Sequence, residues 1–345
     1  MEKPLLSIVI PFYNSAKYID ACLKSVLAQD LKEMEVICVD DASTDETLKV
    51  LYKYAELDSR IKVISFKENW GRLKPRCAGV ESACGEYLMF IDSDDTIDSG
   101  LCTTVVDLMK KHQVDILQFP ARQIYTELKK QNVIYPPAVH LTGDEILRKS
   151  YVEREVPISL WMKVYQMELC KKAFAEIPDI RCYAGADFFS TFFIDYFAKS
   201  YMGVNTEPKY NYYLGYGLTS AVNMPLNKFQ QYCDMNQYYA IVYDFLERNH
   251  ASEEAYEALY YMTRNLIGEC CNYFANVKDE EKIAAVDIFW KSWSGIPHFS
   301  EHILFAFDQQ KKTIDEIKNS ESYKIGNTIV NPLKAVKARL VLMNI

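Results

Sequence analysis

The chain has no excess of positive charge. Its 39 Lys and Arg face 47 Asp and Glu, a formal net charge of -8 over 345 residues. Nucleic acid is therefore not an expected partner, because phosphate binding needs a clustered basic surface. The ten cysteines include no CxxC pair, which removes zinc-ribbon and thioredoxin-like sites. Scattered among apolar neighbours, they read as small buried hydrophobes. No run of about 18 uninterrupted apolar residues occurs, so no spanning helix is expected. Met1-Glu2-Lys3-Pro4 leads into an apolar strand rather than a signal peptide, which points to the cytoplasm. There is no repeat and no low-complexity linker. What remains is globular composition, 49% hydrophobic and 25% charged, with length for about two domains.

Residues 5–125 alternate between strand and helix signals. Leu6–Pro11, Glu35–Asp40, Ile61–Ile64 and Tyr87–Ile91 are short apolar runs. Between them lie helical patterns over Ala16–Gln29, from Thr44, and over Arg72–Ala83. Thr44 is placed to cap its helix, with Asp45 and Glu46 in the first turn. This alternation predicts an α/β fold, a mostly parallel sheet with helices on both faces. Beyond about residue 140 helical patterns rich in tyrosine take over, at Gln230–Arg248 and Glu253–Val277, with a last one over His302–Asn319. Most of those tyrosines (Tyr238, Tyr239, Tyr260, Tyr261) are expected in the core. The expected organisation is an α/β half over 1–125, a bridging half over 126–225 and a helical region over 226–345.

Three segments carry chemistry. Phe90-Ile91-Asp92-Ser93-Asp94-Asp95 sets carboxylates at the carboxyl end of a buried strand, the edge where open α/β sheets bind ligands. Asp92 and Asp94 can share a divalent cation that also takes diphosphate oxygens. Taken alone, the segment is more commonly an Asp-rich turn capping a helix near Ser99. Val39-Asp40-Asp41-Ala42-Ser43-Thr44-Asp45 also follows a strand. A carboxylate there can accept the imide hydrogen of uracil, and the helix start suits a polar ligand; alone, a plain strand-to-helix turn is favoured. Asn69–Gly79 carries Arg72, Lys74 and Arg76, which either meet phosphate or base or are simply solvated.

Taken together and in order, these pieces resemble family 2 of the inverting glycosyltransferases, which have the GT-A fold. The resemblance runs through Ile10-Pro11-Phe12-Tyr13-Asn14, Val39–Asp45, Asn69-Trp70-Gly71, Arg76, Ala83-Cys84-Gly85-Glu86-Tyr87 and Phe90–Asp95, over about 90 residues. It implies that Pro11 and Asp40 line a nucleoside pocket with Arg76 nearby. Tyr13 and Ser93 belong to the same donor site, Asp92 contacts the nucleotide-sugar, and Asp94 holds Mn²⁺ or Mg²⁺. Pro75 and Cys77 stand where the family usually has Ala and Asn around Arg76.

The second half is similar to the family more loosely. Trp161-Met162-Lys163-Val164-Tyr165 matches W-x-K-x-Y, which makes Trp161 and Lys163 candidate acceptor or diphosphate contacts. Ala184-Gly185-Ala186-Asp187-Phe188-Phe189 aligns with G-E-D, where the Asp is the general base that deprotonates the acceptor. Ala186 replaces the usual Glu; the alternative for Asp187 is a helix N-cap. Tyr210–Ser220 resembles Y-Y-x-R-x-x-G-S, with Leu214 where an arginine often faces the diphosphate and Lys209 as a substitute cation. The Q-x-x-R-W motif and membrane spans of processive synthases are missing, so single-sugar addition is expected. The resemblance thus implies metal-dependent transfer of a hexose or N-acetylhexosamine, from a UDP-linked donor to a saccharide or lipid-linked glycan. The rivals are a sugar nucleotidyltransferase, which would open with a Gly-rich basic loop, and an inactive glycan- or nucleotide-binding relative. His298-Phe299-Ser300-Glu301-His302 fits H-x-x-E-H but lacks a partner motif, so an ordinary helix start is expected. The basic, amphipathic stretch from Tyr323 to Leu340 suits the anionic inner face of a membrane.

Overall fold

A computed structural model of the chain describes residues 3–126, 129–214, 224–306 and 308. It divides into two compact units, Met1–Ser220 and Ala221–Ile345. The first opens with β1 (Leu6–Phe12), α1 (Ile19–Leu27), β2 (Met34–Asp40), α2 (Thr47–Leu57), β3 (Ile61–Ser65), α3 (Lys74–Ser82) and β4 (Tyr87–Phe90). It continues through β5 (Thr96–Ile97), α4 (Leu101–His112), β6 (Ile116–Gln118), β7 (Ala121–Tyr125), β8 (Lys130–Ile134) and β9 (His140–Thr142). After α5 (Glu145–Leu147), which runs on as one π-helical turn, come β10 (Lys163–Gln166), α6 (Met167–Ala175), α7 (Ala186–Phe197), β11 (Ser200–Gly203) and β12 (Tyr210–Leu214).

Eight strands form one sheet in the order β3-β2-β1-β4-β10-β6-β11-β9. The first four pair in parallel, as expected; β10 runs antiparallel to both β4 and β6, so the whole sheet is mixed. β2 is buried along its full length and β1 everywhere but Pro11, the mark of strands covered on both faces. On one face α1 buries Ile19, Cys22, Leu23 and Val26, the i, i+3, i+4, i+7 stripe of an amphipathic helix. Burying Ile19, Leu23 and Val26 contributes about 1.5–3 kcal/mol each. α3 comes unusually close to β1, because a Cβ on Gly79 would stand 2.3 Å from Val9 Cγ1. A second, four-stranded sheet, β5-β12-β7-β8, had no counterpart in the sequence reading.

Two local expectations fail. The helix after β2 begins at Thr47, not at Thr44. Asp45 Oδ1 accepts from Thr47 N at 3.0 Å, while Thr44 N is drawn off to Asn14 Oδ1 at 2.8 Å, so Asp45 satisfies the helix start. In the second unit, Gln230–Arg248 is two helices, α8 (Leu226–Cys233) and α9 (Gln237–Arg248), split by a 3₁₀ turn at Asp234–Asn236. The turn is held by Asn236, whose amide donates to Ser292 O at 2.7 Å. α10 (Glu253–Ala275) and α11 (Lys282–Trp293) follow, and residues 299–306 are helical again. Tyr238 is buried as expected, while Tyr239 and Tyr243 stack at the surface with centroids 5.8 Å apart. His298 pairs with Glu301 at 3.3 Å and His302 is buried against Tyr260. Among the described residues, no His, Cys, Asp or Glu cluster of three or more suits a metal. No helix among them is long and apolar enough to cross a membrane. The helical pattern beyond 308 and the basic tail lie outside the described residues.

Candidate active site

Parallel strands deliver β1, β2 and β4 to one edge, and their C-terminal loops meet there. Phe12, Asp40 and Ser65 share one register line across β1, β2 and β3. Asn14 N donates to Ser43 Oγ at 2.9 Å and Ser15 N to Thr47 Oγ1 at 2.8 Å, joining the first two loops. Ser15 Oγ reaches Ser93 Oγ at 2.9 Å, bringing in the third. Tyr13, at the tip of the first loop, is 40% exposed.

The two adjacent aspartates after β2 do different work. Asp40 is buried; its Oδ2 accepts from Ser43 N, and its Oδ1 has no hydrogen-bond partner among the described residues. A buried acceptor left unmade costs free energy unless a ligand completes it. Asp41 is saturated instead: it accepts from Trp70 N, Gly71 N and Asn69 Nδ2 at 2.8–2.9 Å. Burial pushes the Asp41 carboxyl up, against the pull of those backbone donors. Asp41 thus pins the Asn69–Gly71 turn. Gly71 has φ +82° and a Cβ there would stand 2.1 Å from Cys182 O, so only glycine fits. Arg72 N then donates to Cys182 O at 2.6 Å, and Cys182 N to Trp70 O at 3.1 Å. Through these bonds the Asn69–Gly71 turn holds the segment that leads to Asp187.

Arg76, on α3, is the buried hub. Nη1 donates to Arg72 O at 3.0 Å and Nη2 to Asp92 Oδ1 at 3.0 Å, while Asp187 Oδ1 stands 3.7 Å from the same Nη2. Carboxylates 95 positions apart in the chain are thereby gathered on one guanidinium. Asp187 lies in the first turn of α7 behind Gly185, which is the N-cap at φ +68°, so Asp187 does not serve as the cap. Burial raises the Asp187 carboxyl; the Arg76 charge pulls it back. Asp94, next along, is pushed up to about 6 by burial and by the charge of Asp92. Asp95, fully buried, belongs to the scaffold: it accepts from Tyr210 Oη at 2.8 Å and Tyr213 N at 3.0 Å, fixing β12 behind the site.

The remaining expected contacts divide. Trp161 stacks on Tyr212 and Tyr210, with centroids 4.5 and 5.4 Å away, and stays partly exposed. Lys163 departs from expectation as a surface contact: it is 1% exposed and donates to Pro157 O at 2.8 Å. Burial lowers its ammonium, opposed by the charges of Asp195 and Asp187. A lysine on a strand pointing inward must take a carbonyl from its own surroundings. Lys209 has its amine turned to Gly100 and its charge acting on Asp98. Ala186 is buried, and Leu214 pairs with Tyr125 at the end of β12; the residues from 215 to 223 lie outside the description. Asp41, Ser15, Cys182 and Asp95 were missed as organisers of the site. Only the doubled Asp40-Asp41 and Asp94-Asp95 hinted at them.

The donor set fits a divalent cation. Asp92 and Asp94 offer oxygen ligands, and the burial and the charge of Asp92 that raise the Asp94 carboxyl are what a nearby cation would offset. Two carboxylates leave other coordination positions for a diphosphate and water.

Comparison with known proteins agrees with this architecture. Residues 7–174 match the family described as Glycosyl transferase family 2. An uncharacterized glycosyltransferase of Bacillus subtilis, EpsJ, is 29% identical over 178 residues, 49% of this chain and 50% of that protein. The cholesterol galactosyltransferase of Borreliella burgdorferi is 32% identical over 186 residues, 50% of this chain and 51% of that protein. The chain therefore spans about half the length of these curated relatives. The crystal structure of S. aureus TarS 1–349 in complex with UDP-GlcNAc has a TM-score of 0.62 at 22% identity, covering 94% of this chain and 95% of that one. The fold is that of the GT-A enzymes, with helices following it. The domain in residues 7–174 is a family 2 glycosyltransferase domain.

Proposed function

We propose that the protein is a metal-dependent, inverting glycosyltransferase that moves one sugar from a UDP-linked donor to a saccharide or lipid-linked glycan. The observation that carries this reading is the Arg76 hub, which holds Asp92 of the donor edge and Asp187 of the opposite wall on a single guanidinium. Asp40, with its unpartnered Oδ1, reads the base of the nucleotide. Pro11, Tyr13 and Ser93 complete the nucleoside side. Asp92 and Asp94 would hold Mn²⁺ or Mg²⁺, which when bound neutralises charge on the departing diphosphate.

In the proposed reaction Asp187 accepts the proton of the acceptor hydroxyl as that oxygen bonds to the anomeric carbon. The bond from that carbon to the diphosphate oxygen breaks on the opposite face, which inverts the configuration, and the nucleoside diphosphate leaves. Trp161, stacked on Tyr212, offers an aromatic face for the acceptor sugar. UDP is the favoured nucleotide because TarS, of the same fold, was crystallised with UDP-GlcNAc and with UDP. The basic tail, outside the described residues, is the element we assign to holding the enzyme at the inner face of the membrane.

The test is calorimetric titration of UDP with and without Mn²⁺ into wild type and Asp94→Ala, with sugar transfer measured on Asp187→Asn. Metal-dependent binding lost in the first variant, and transfer lost with donor binding kept in the second, are expected. Wild-type turnover in Asp187→Asn removes it from the mechanism, and failure of wild type to bind UDP with any metal rejects the donor assignment.

A further inference from the structure

The cations around the site are mostly committed. Arg76 serves Asp92 and the Arg72 carbonyl, Lys163 the Pro157 carbonyl, Lys74 an ion pair with Asp179, and Arg181 an ion pair with Glu68. Arg72 is different. Its side chain is exposed, and its guanidinium has no hydrogen-bond or ion-pair partner among the described residues. Its backbone, in contrast, is held from both sides. The N–H donates to Cys182 O at 2.6 Å, and the carbonyl accepts from Arg76 Nη1 at 3.0 Å. The root of the side chain is therefore anchored between the hub that binds Asp92 and the segment that leads to Asp187. Its positive charge lies within electrostatic reach of both Asp94 and Asp187.

Among the described residues at the end of β12, no comparable group stands free. Leu214 occupies the position at which an arginine faces the diphosphate in the family pattern, and Lys209 is turned to Gly100 and Asp98. We propose that Arg72 is the cation that binds the donor diphosphate in this protein, supplied from the Asn69–Gly71 turn instead of from the end of β12. This rests on the donor-site reading above. A guanidinium meets two diphosphate oxygens at once, and an unpaired one gives up no existing contact to do so. Rooted between the hub and the Cys182 segment, it offsets the charge that builds on the leaving nucleoside diphosphate without drawing on the buried Arg76.

The experiment titrates UDP and uridine, with Mn²⁺ present, into wild type, Arg72→Ala and Arg72→Lys, and measures acceptor KM and kcat on each. Because only an exposed side chain is removed, the thermal midpoint of Arg72→Ala should match wild type. UDP affinity should fall by about tenfold or more in Arg72→Ala, with uridine affinity unchanged and Arg72→Lys in between. Wild-type UDP affinity in Arg72→Ala overturns the proposal. So does a rise confined to acceptor KM, which would assign Arg72 to the acceptor. Wild type that binds no UDP rejects the donor reading itself, before any variant is compared, and the inference falls with it.

Discussion

Replacing Arg76 by Met tests the centre of the structural argument. Methionine keeps most of the volume, so packing changes little. What is lost is the cation that faces Asp92 at 3.0 Å and Asp187 at 3.7 Å. Removing one partner of a buried ion pair costs about 3–5 kcal/mol. Asp92 and Asp187 each keep 30% of their side-chain exposure, so water recovers part of that. The expected loss of stability is about 2–3 kcal/mol near neutral pH. The loss has a pH signature. Asp187 is already raised by burial, and without Arg76 its folded value rises further above the ordinary 3.8. A raised carboxyl penalises the folded state above its unfolded value, so the gap to wild type widens from about pH 5 to about pH 7.5. Urea denaturation at both pH values measures it, and sugar transfer should vanish in the same variant. A gap at neutral pH under about 0.5 kcal/mol, or one that does not change with pH, would refute the hub.

Two further outcomes follow, one from the scaffold of the site and one from the opposite end of the sheet. Gly71→Ala combines φ +82° with a Cβ 2.1 Å from Cys182 O; a loss of at least about 2 kcal/mol is expected, with weaker UDP binding, and an unchanged urea midpoint would contradict it. Glu35, buried on β2, accepts from Ser7 Oγ at 2.6 Å, Lys62 Nζ at 2.6 Å and Cys84 N at 2.7 Å. Burial pushes its carboxyl up, but these donors win and hold it below 4.5. Its stabilisation is therefore present above that value and lost as pH falls through the lower folded one. Glu35→Gln should cost about 1–3 kcal/mol at neutral pH, and the difference from wild type should shrink below about pH 4; a difference constant across that range would exclude the carboxylate as its source.

The first half of the fold was legible because its signals are local. Ile8, Val36 and Met89 lie in runs whose apolar continuity reports a parallel strand covered on both faces, and acids directly after such runs fall at the ligand-binding edge. Asp40, Asp92 and Asp94 could thus be placed at the C-terminal edge of the sheet from the chain alone, and the order of the segments agrees with the family matched over residues 7–174. Other decisions belong to tertiary structure. Asp40 and Asp41 are indistinguishable in sequence, yet one keeps an oxygen without a partner among the described residues and the other is consumed by Trp70, Gly71 and Asn69, which only the fold brings to it. Lys163 fits a motif in which a lysine looks available, but its strand points it inward to Pro157. Thr44 is a good cap by residue type, yet the helix begins at Thr47, whose N–H goes to Asp45, while both the amide and the hydroxyl of Thr44 go to Asn14 of another loop. The Arg76 hub unites side chains from α3, the end of β4 and α7, a meeting that no spacing rule records. Hydrophobic period and turn chemistry act over a few residues and are written into the chain, whereas the partner of a buried charge is chosen by whatever the folded sheet brings within hydrogen-bonding reach.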